Sequence, residues 1–102
     1  MTRILDRLRK LGISLPEPLV LPSSNRTSAV LAGHMLYLSG HGAALLKDPT
    51  VKRRGRVGLE ITENEAQATA RAIAIMMLAT IQHHIGDLDR VQRVVKIVGM
   101  IN

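Results

Sequence analysis

The strongest structural constraint in this sequence is a helical segment in its second half that is apolar on nearly every side. Residues 62–65 read Thr-Glu-Asn-Glu, a capping box in which the threonine and the third-position glutamate each satisfy an unpaired backbone donor. The helical pattern continues to about Ile85 and ends at Gly86, a residue suited to a left-handed C′ position. Because the helix is apolar almost all round after Arg71, more than one of its sides needs cover.

The size and composition predict a single small domain that gains stability by association. The chain has 102 residues, 46 % of them hydrophobic, yet it contains no Phe, no Trp and one Tyr. Its core must therefore consist of aliphatic side chains, each of which buries less area than an aromatic one. Burying further apolar surface between subunits stabilises such a core by about 25 cal/mol per Å², so we expect an oligomer.

The absence of cysteine excludes disulfides, thiolate nucleophiles and thiolate metal sites, and favours a cytoplasmic protein. The opening residues MTRILDRLRKLGI mix charged and apolar positions, unlike a signal peptide. No stretch is long and apolar enough to predict a membrane span, and we expect no membrane partner.

The other elements are predicted from hydrophobic spacing and turn residues. Apolar residues at helical spacing from Ile4 to Leu11 indicate a helix that ends at Gly12. Residues 13–25 contain three prolines and should form an extended arm. Residues 26–33 and 34–40 favour a hairpin, whose second strand is apolar on both faces and is predicted to be central.

Two further strands are predicted after the hairpin. A short strand is possible near residues 56–59, and residues 93–102 are rich in β-branched side chains, which is typical of a closing strand. A closing strand that follows the long helix would complete a β-α-β unit with a right-handed crossover. The fold class is therefore α+β or mixed α/β, a sheet with helices on one face.

The stretch LYLSGHGA, residues 36–43, raises the question of a serine–histidine catalytic pair. A hydrolase nucleophile elbow has glycine two residues before and two after its serine, but Tyr37 and His41 occupy those positions around Ser39. The motif therefore fails. Gly40 and Gly42 would let a ligand approach the backbone and use its N–H groups as anion donors, so a pocket is expected here.

The four histidines do not predict a metal site. His83 and His84 are adjacent and diverge by about 100° on a helix, and His34 and His41 lie at opposite ends of one strand. Asp87 and Asp89 flank Leu88 after the long helix. Paired carboxylates can perform acid–base chemistry, but aspartates in a turn more often accept hydrogen bonds from backbone donors, which is the interpretation we favour.

The net charge of +6 raises the possibility of a polyanionic partner. The basic residues cluster most tightly in one loop, at Lys52, Arg53, Arg54 and Arg56. This basic loop could contact phosphates or could be a solvated linker. The second interpretation is favoured because the cluster is short and has no aromatic residues on which bases could stack.

Several strings together resemble one known family. GHMLYLSGHG is similar to the "G-x-x-(apolar)-x-SGQ" strand of the Rid family, also called YjgF, the reactive intermediate deaminases. GRVG, the capped helix and GDLDRVQRVVK resemble that family's first helix and the strand after it. The N-terminal helix and proline-rich arm resemble a longer subgroup. The resemblance covers nearly the whole chain.

This resemblance implies a chorismate-mutase-like α+β fold, a mixed sheet with helices on one face, assembled as a homotrimer with ligand clefts between subunits. Active members are hydrolases that convert enamine or imine intermediates to the keto acid and ammonia. Ser39 and Gly40 match the family's cleft-lining pair, and His41 stands where glutamine is usual. The implied division is an N-terminal helix and arm, residues 1–25, and a Rid-like domain, residues 26–102. No cofactor is implied.

Two departures from the family pattern shape the functional prediction. A cleft-lining tyrosine of the family aligns with Arg26, which we predict to bind a substrate carboxylate instead. The family's catalytic arginine, second helix and closing strands would all lie beyond Asn102, so residues 26–102 are predicted to be an incomplete domain. The expected ligand is a small carboxylate-bearing metabolite. The alternative is an RNA-binding or ribonuclease-like module that uses the basic loop, which a steep salt dependence would reveal.

Overall fold

The computed structural model describes residues 3–21 and 24–102. Its elements, in chain order, are helix α1 (Arg3–Lys10), strand β1 (Ala29–Ala32), strand β2 (Met35–Leu38), a 3₁₀ turn (Ala43–Leu45), helix α2 (Glu63–Ile85) and a second 3₁₀ turn (Leu88–Arg90). The predicted α+β class is confirmed. Residues 13–21 form no regular element, as expected for the arm, whose third proline, Pro22, lies outside the described residues.

Both ends of α2 follow from local hydrogen bonding. The Thr62 hydroxyl accepts from the Glu65 N–H at 3.1 Å, and the Glu65 carboxylate accepts from the Thr62 N–H at 2.9 Å. The helix ends where Gly86 adopts φ +84° and its N–H donates to the Gln82 carbonyl. The predicted capping box and C-terminal glycine are both confirmed.

Strands β1 and β2 form an antiparallel hairpin in which Ala29 pairs with Leu38 and Ala32 with Met35. The loop is Gly33-His34, and Gly33 has φ +60°, the conformation that glycine supplies at the first position of a type II′ turn. Within the described residues this is the whole sheet. The prediction that β2 is a central strand is therefore wrong. Strand β2 pairs with β1 on one edge, and no described strand pairs with its other edge.

Helix α2 covers one face of the hairpin and leaves the other open. It contacts both strands and both 3₁₀ turns. Because alternate residues share a face, Ala29 and its partner Leu38 lie on the covered side. On the opposite face, Val30 and Tyr37 are 52 % and 59 % exposed. The buried apolar residues are Leu8, Ala29, Leu46, Met76, Ala79 and Leu88, the aliphatic core that the composition predicts.

Helix α1 is attached to the turn that follows α2. Both oxygens of Asp89 are used there, accepting from the backbone N–H groups of Arg3 at 2.8 Å and Ile4 at 2.9 Å. Asp87 in turn accepts from the Asp89 N–H at 2.9 Å. The two aspartates therefore hold backbone donors, as the favoured interpretation of the sequence predicts.

Residues 91–102 form neither helix nor strand. Their large apolar side chains, Val94, Val95, Ile97, Val98, Met100 and Ile101, are 66–92 % exposed. The predicted closing strand and its crossover are thus not formed, because the described part of the chain offers this segment no neighbouring strand. Its end is held by one bond, from the Val57 N–H to the Asn102 carbonyl at 2.9 Å.

The short strand predicted at residues 56–59 is reduced to a single bridge between Val57 and Ile61. Across residues 3–21 and 24–102, neither helix has the length and apolar character needed to cross a bilayer.

Candidate functional site

The sequence-predicted site residues gather at the open end of the hairpin. Beyond the last pair of β1 and β2, the Ser39 N–H donates to the Ser28 carbonyl at 2.9 Å. The Ser39 hydroxyl donates to the Thr27 carbonyl at 2.5 Å. These bonds draw residues 26–28 against residues 39–41, so that Arg26 lies at the same end of the hairpin as Ser39, Gly40 and His41.

The His41 ring is fully engaged in joining this end of the hairpin to α2. Its Nδ1 lies 2.7 Å from the Ser39 carbonyl and its Nε2 lies 2.8 Å from the Thr80 hydroxyl. A carbonyl can only accept, so Nδ1 carries a hydrogen. Thr80 is completely buried and also contacts the Met76 carbonyl at 3.2 Å. His41 therefore does not activate Ser39, whose hydroxyl donates to the Thr27 carbonyl instead.

The structure forms a different serine–histidine pair, which the sequence reasoning missed. Ser28 Oγ lies 2.9 Å from Nε2 of His84, 56 residues away in the chain. Ser28 is 5 % exposed, and His84 lies in the last turn of α2. The spacing of Thr80 and His84 could have indicated that His84 faces the hairpin. These residues are four apart, so they share the helix face that meets the hairpin.

A groove of about 180 Å³ lies beside this pair and is called the arm groove here. Its lining residues are Leu19, Val20 and Leu21 of the arm, Arg26, Thr27 and Ser28 before β1, and His83 and His84 of α2. The two histidine rings meet edge to face, with centroids 5.3 Å apart. The lining therefore combines three aliphatic side chains with an arginine, two histidines and two hydroxyl groups.

The charge distribution of the arm groove favours an anion. The Arg26 guanidinium has no hydrogen-bond or ion-pair partner in the described ranges 3–21 and 24–102, and no carboxylate lines the groove. A second groove of about 210 Å³ lies between α1, residues 13–15 and Gln82. Its arginine, Arg9, is already paired with Asp6 at 3.0 Å, so the arm groove is the better candidate for an anionic ligand.

Gly40 and Gly42 are surrounded by open space. A Cβ built on either residue would meet no atom within 4 Å, and neither has a positive φ. The backbone is thus accessible at both positions, but nothing in the structure requires glycine there. Their predicted use as anion donors stays a prediction.

Half of the basic loop is used by the protein itself. Lys52 forms an ion pair with Glu65 at 3.0 Å, and Arg53 donates to the Leu46 carbonyl at 2.6 Å. The backbone hydrogen bond from Thr62, followed by the hydrogen bond from Lys52, lowers the pKa of Glu65 below its ordinary value. The side chains of Arg54 and Arg56 are exposed.

No metal centre is apparent in the described part of the chain, where no three histidine, aspartate or glutamate side chains converge as ligands would.

The chain is similar to a known protein whose name states neither a ligand nor a reaction. No family model matches the chain, and no solved structure matches it. The chain is similar to Protein TCP17 of Trypanosoma cruzi, with 38 % identity over 100 residues that cover 98 % of this chain and 61 % of that protein. The chain thus spans about three fifths of the length of this curated relative, whose name specifies no ligand or reaction.

Proposed function

We propose that this protein binds a small carboxylate-bearing metabolite in the arm groove, with Arg26 as the carboxylate partner. The observation that carries the proposal is the Arg26 guanidinium, which lines the groove together with His83 and His84 and has no ion-pair partner among the described residues. A planar guanidinium can donate two parallel hydrogen bonds to a carboxylate, and such charge-assisted pairs are stronger than neutral ones.

The shape of the groove supports a small ligand with an apolar portion. Its volume of about 180 Å³ is below the 300–1,000 Å³ typical of sites for drug-sized molecules. Leu19, Val20 and Leu21 in its lining suit a short aliphatic side chain, and the same lining contains Arg26 and two histidines. A short-chain oxo acid or an imine derived from an amino acid combines a carboxylate with such an apolar portion.

We further propose that the chain is a Rid-family protein of the cytoplasm that assembles as a homotrimer. A neighbouring subunit would close the open groove and cover the exposed face of the hairpin, where Tyr37 is 59 % exposed. Ser39 and Gly40, at the same end of the hairpin as Arg26, would then line the cleft. Enamine or imine hydrolysis is the reaction that the resemblance to the Rid family implies for such a cleft.

The test is a titration with 2-oxobutyrate followed by NMR or calorimetry. Wild-type protein should bind, and Arg26→Ala should weaken binding by about tenfold or more, since a hydrogen bond to a charged group contributes about 1.5–3 kcal/mol. Arg54→Ala, which removes another exposed arginine, should leave affinity unchanged. Equal affinity in wild type and Arg26→Ala would show that Arg26 does not hold the carboxylate.

RNA binding through the basic loop is the alternative, and the structure supports it less. Lys52 and Arg53 are held by Glu65 and the Leu46 carbonyl, so Arg54 and Arg56 alone present unengaged guanidinium groups from the loop. Removing one arginine that binds a phosphate would reduce the slope of log affinity against log salt concentration by about one unit. This alternative would be favoured if RNA affinity falls steeply with salt concentration and is abolished in the double variant Arg54→Ala/Arg56→Ala.

A further inference from the structure

We propose that Ser28 is a nucleophile for acyl transfer, with His84 as its general base, acting on small carboxylic esters or thioesters that enter the arm groove. The geometry points to this pair because Ser28 Oγ lies 2.9 Å from His84 Nε2, and both residues line the same groove. A serine hydroxyl becomes a useful nucleophile when an adjacent base within hydrogen-bond reach accepts its proton.

The position of His84 places its ring against Ser28. His84 is the penultimate residue of the 23-residue helix α2. In a Ser-His-Asp triad a buried carboxylate orients the histidine. The edge-to-face contact with His83, at 87° between ring planes, restrains the ring while Nε2 points to Ser28.

The surroundings of the pair supply the other requirements of an acyl-transfer site. Arg26 lines the same groove as Ser28, and a cation there can stabilise the negative charge that develops on the substrate carbonyl oxygen. The charged and titratable side chains that line the groove are Arg26, His83 and His84. No lining carboxylate competes for Arg26 or repels the oxyanion.

The chemical step is balanced by the groups present. Ser28 Oγ forms a bond to the acyl carbon as its proton moves to His84 Nε2. Collapse of the tetrahedral intermediate breaks the bond to the leaving alkoxide or thiolate, which takes that proton. Water then attacks the acyl-serine, with His84 again accepting a proton, and release of the carboxylic acid regenerates the Ser28 hydroxyl.

The proposal shares the arm groove with the proposed metabolite site but does not depend on it. An uncharged ester needs no carboxylate partner, so acylation can succeed or fail whether or not Arg26 binds an oxo acid.

The experiment is acylation of the full chain by p-nitrophenyl acetate, followed by intact mass and tandem mass spectrometry. We expect a burst of p-nitrophenolate that approaches one equivalent and one acetyl group on Ser28. Ser28→Ala should abolish the adduct, and Ser28→Cys should restore it as a thioester. His84→Gln, which retains a hydrogen-bonding side chain, should slow acylation by about 100-fold or more.

The matched controls are Ser14→Ala and His34→Gln, which replace an exposed serine and an exposed histidine outside the arm groove. Both should acylate at the wild-type rate. Circular dichroism of every variant verifies that it is folded. The proposal is overturned if folded wild-type protein carries no acetyl group, if the group resides on another residue, or if His84→Gln acylates at the wild-type rate.

Discussion

At the scale of single residues, two buried hydroxyls attach α2 to the hairpin, and each contacts a histidine. Ser28 meets His84 at 2.9 Å, and Thr80 meets His41 at 2.8 Å. No buried side-chain nitrogen or oxygen among residues 3–21 and 24–102 lacks a hydrogen-bond partner. In a core without large aromatic side chains, these two pairs join the helix to the hairpin through defined hydrogen bonds.

Replacing Thr80 by valine should lower the free energy of unfolding by about 1–3 kcal/mol, because it leaves His41 Nε2 without its buried partner. Valine has nearly the same shape as threonine, so the destabilisation reports the hydroxyl rather than a cavity. Urea unfolding measures the change, and Thr80→Ser, which retains the hydroxyl, is the control for the hydrogen bond. Equal stability of the valine variant and wild type would show that the hydrogen bond contributes nothing.

The carboxylate of Asp89 should make α1 sensitive to acid. Its pKa is lowered from the ordinary value of 3.8, chiefly by the hydrogen bond from the Ile4 N–H. Desolvation, the second-largest effect, opposes this, and the hydrogen bond from the Arg3 N–H lowers the pKa further. Because the folded-state pKa is depressed, the stabilisation is fully present above 3.8 and is lost as the pH falls through the folded-state value.

The Asp89→Asn variant should therefore have a lower melting temperature than wild type near neutral pH. The difference in melting temperature should shrink in strong acid. Thermal unfolding followed by circular dichroism across this pH range measures it. Asp6→Asn is the control, because Asp6 pairs with the exposed side chain of Arg9 and caps no helix. A difference in melting temperature that is independent of pH would contradict the assigned role of the carboxylate.

At the scale of elements, local chemistry determines where the helices and the hairpin begin and end. The capping box at Thr62 and the positive φ of Gly86 define α2, and Gly33 defines the turn between β1 and β2. Each signal acts within four residues, so it is readable in the sequence. Pairing of a strand instead requires a partner, which is why residues 93–102 have the composition of a strand but remain unpaired.

Removing the helix cap by Thr62→Ala should cost about 1 kcal/mol, the typical value for loss of a threonine N-cap. The reason is that the Glu65 N–H loses its acceptor in the first turn of α2. Chemical denaturation measures the destabilisation, with Asn64→Ala, an exposed substitution in the same turn, as the control. If both variants are destabilised equally, the effect belongs to helix propensity and not to the cap.

At the scale of the whole molecule, much apolar surface lies outside the core. The Cα radius of gyration is 14.6 Å, whereas about 13 Å is typical of a domain of 100 residues. The exposed segment 91–102 and the open face of the hairpin contribute this surface. Exposed apolar backbone of this kind can pair with another chain, so the oligomer expected from the composition stays a prediction.

The chain should therefore associate in a concentration-dependent way, with a mass by light scattering above the 11.2 kDa of one copy. Ile97→Asp should weaken the association, because it places a charge among the exposed apolar side chains. Gln92→Asp adds the same charge at a polar position of the segment and is the matched control. A monomer at every concentration, with residues 91–102 cut readily by protease, would contradict the expectation of an oligomer.

The sequence by itself determined the α+β class, the limits of α2, the hairpin and the backbone-capping role of Asp87 and Asp89. It also kept Ser39, Gly40 and His41 together at the end of one strand, since they are neighbours in the chain. Only the tertiary structure decided that Ser28 meets His84 across 56 residues. The physical reason is range: caps and turns depend on hydrogen bonds between near neighbours, whereas this pair exists because α2 packs on one face of the hairpin.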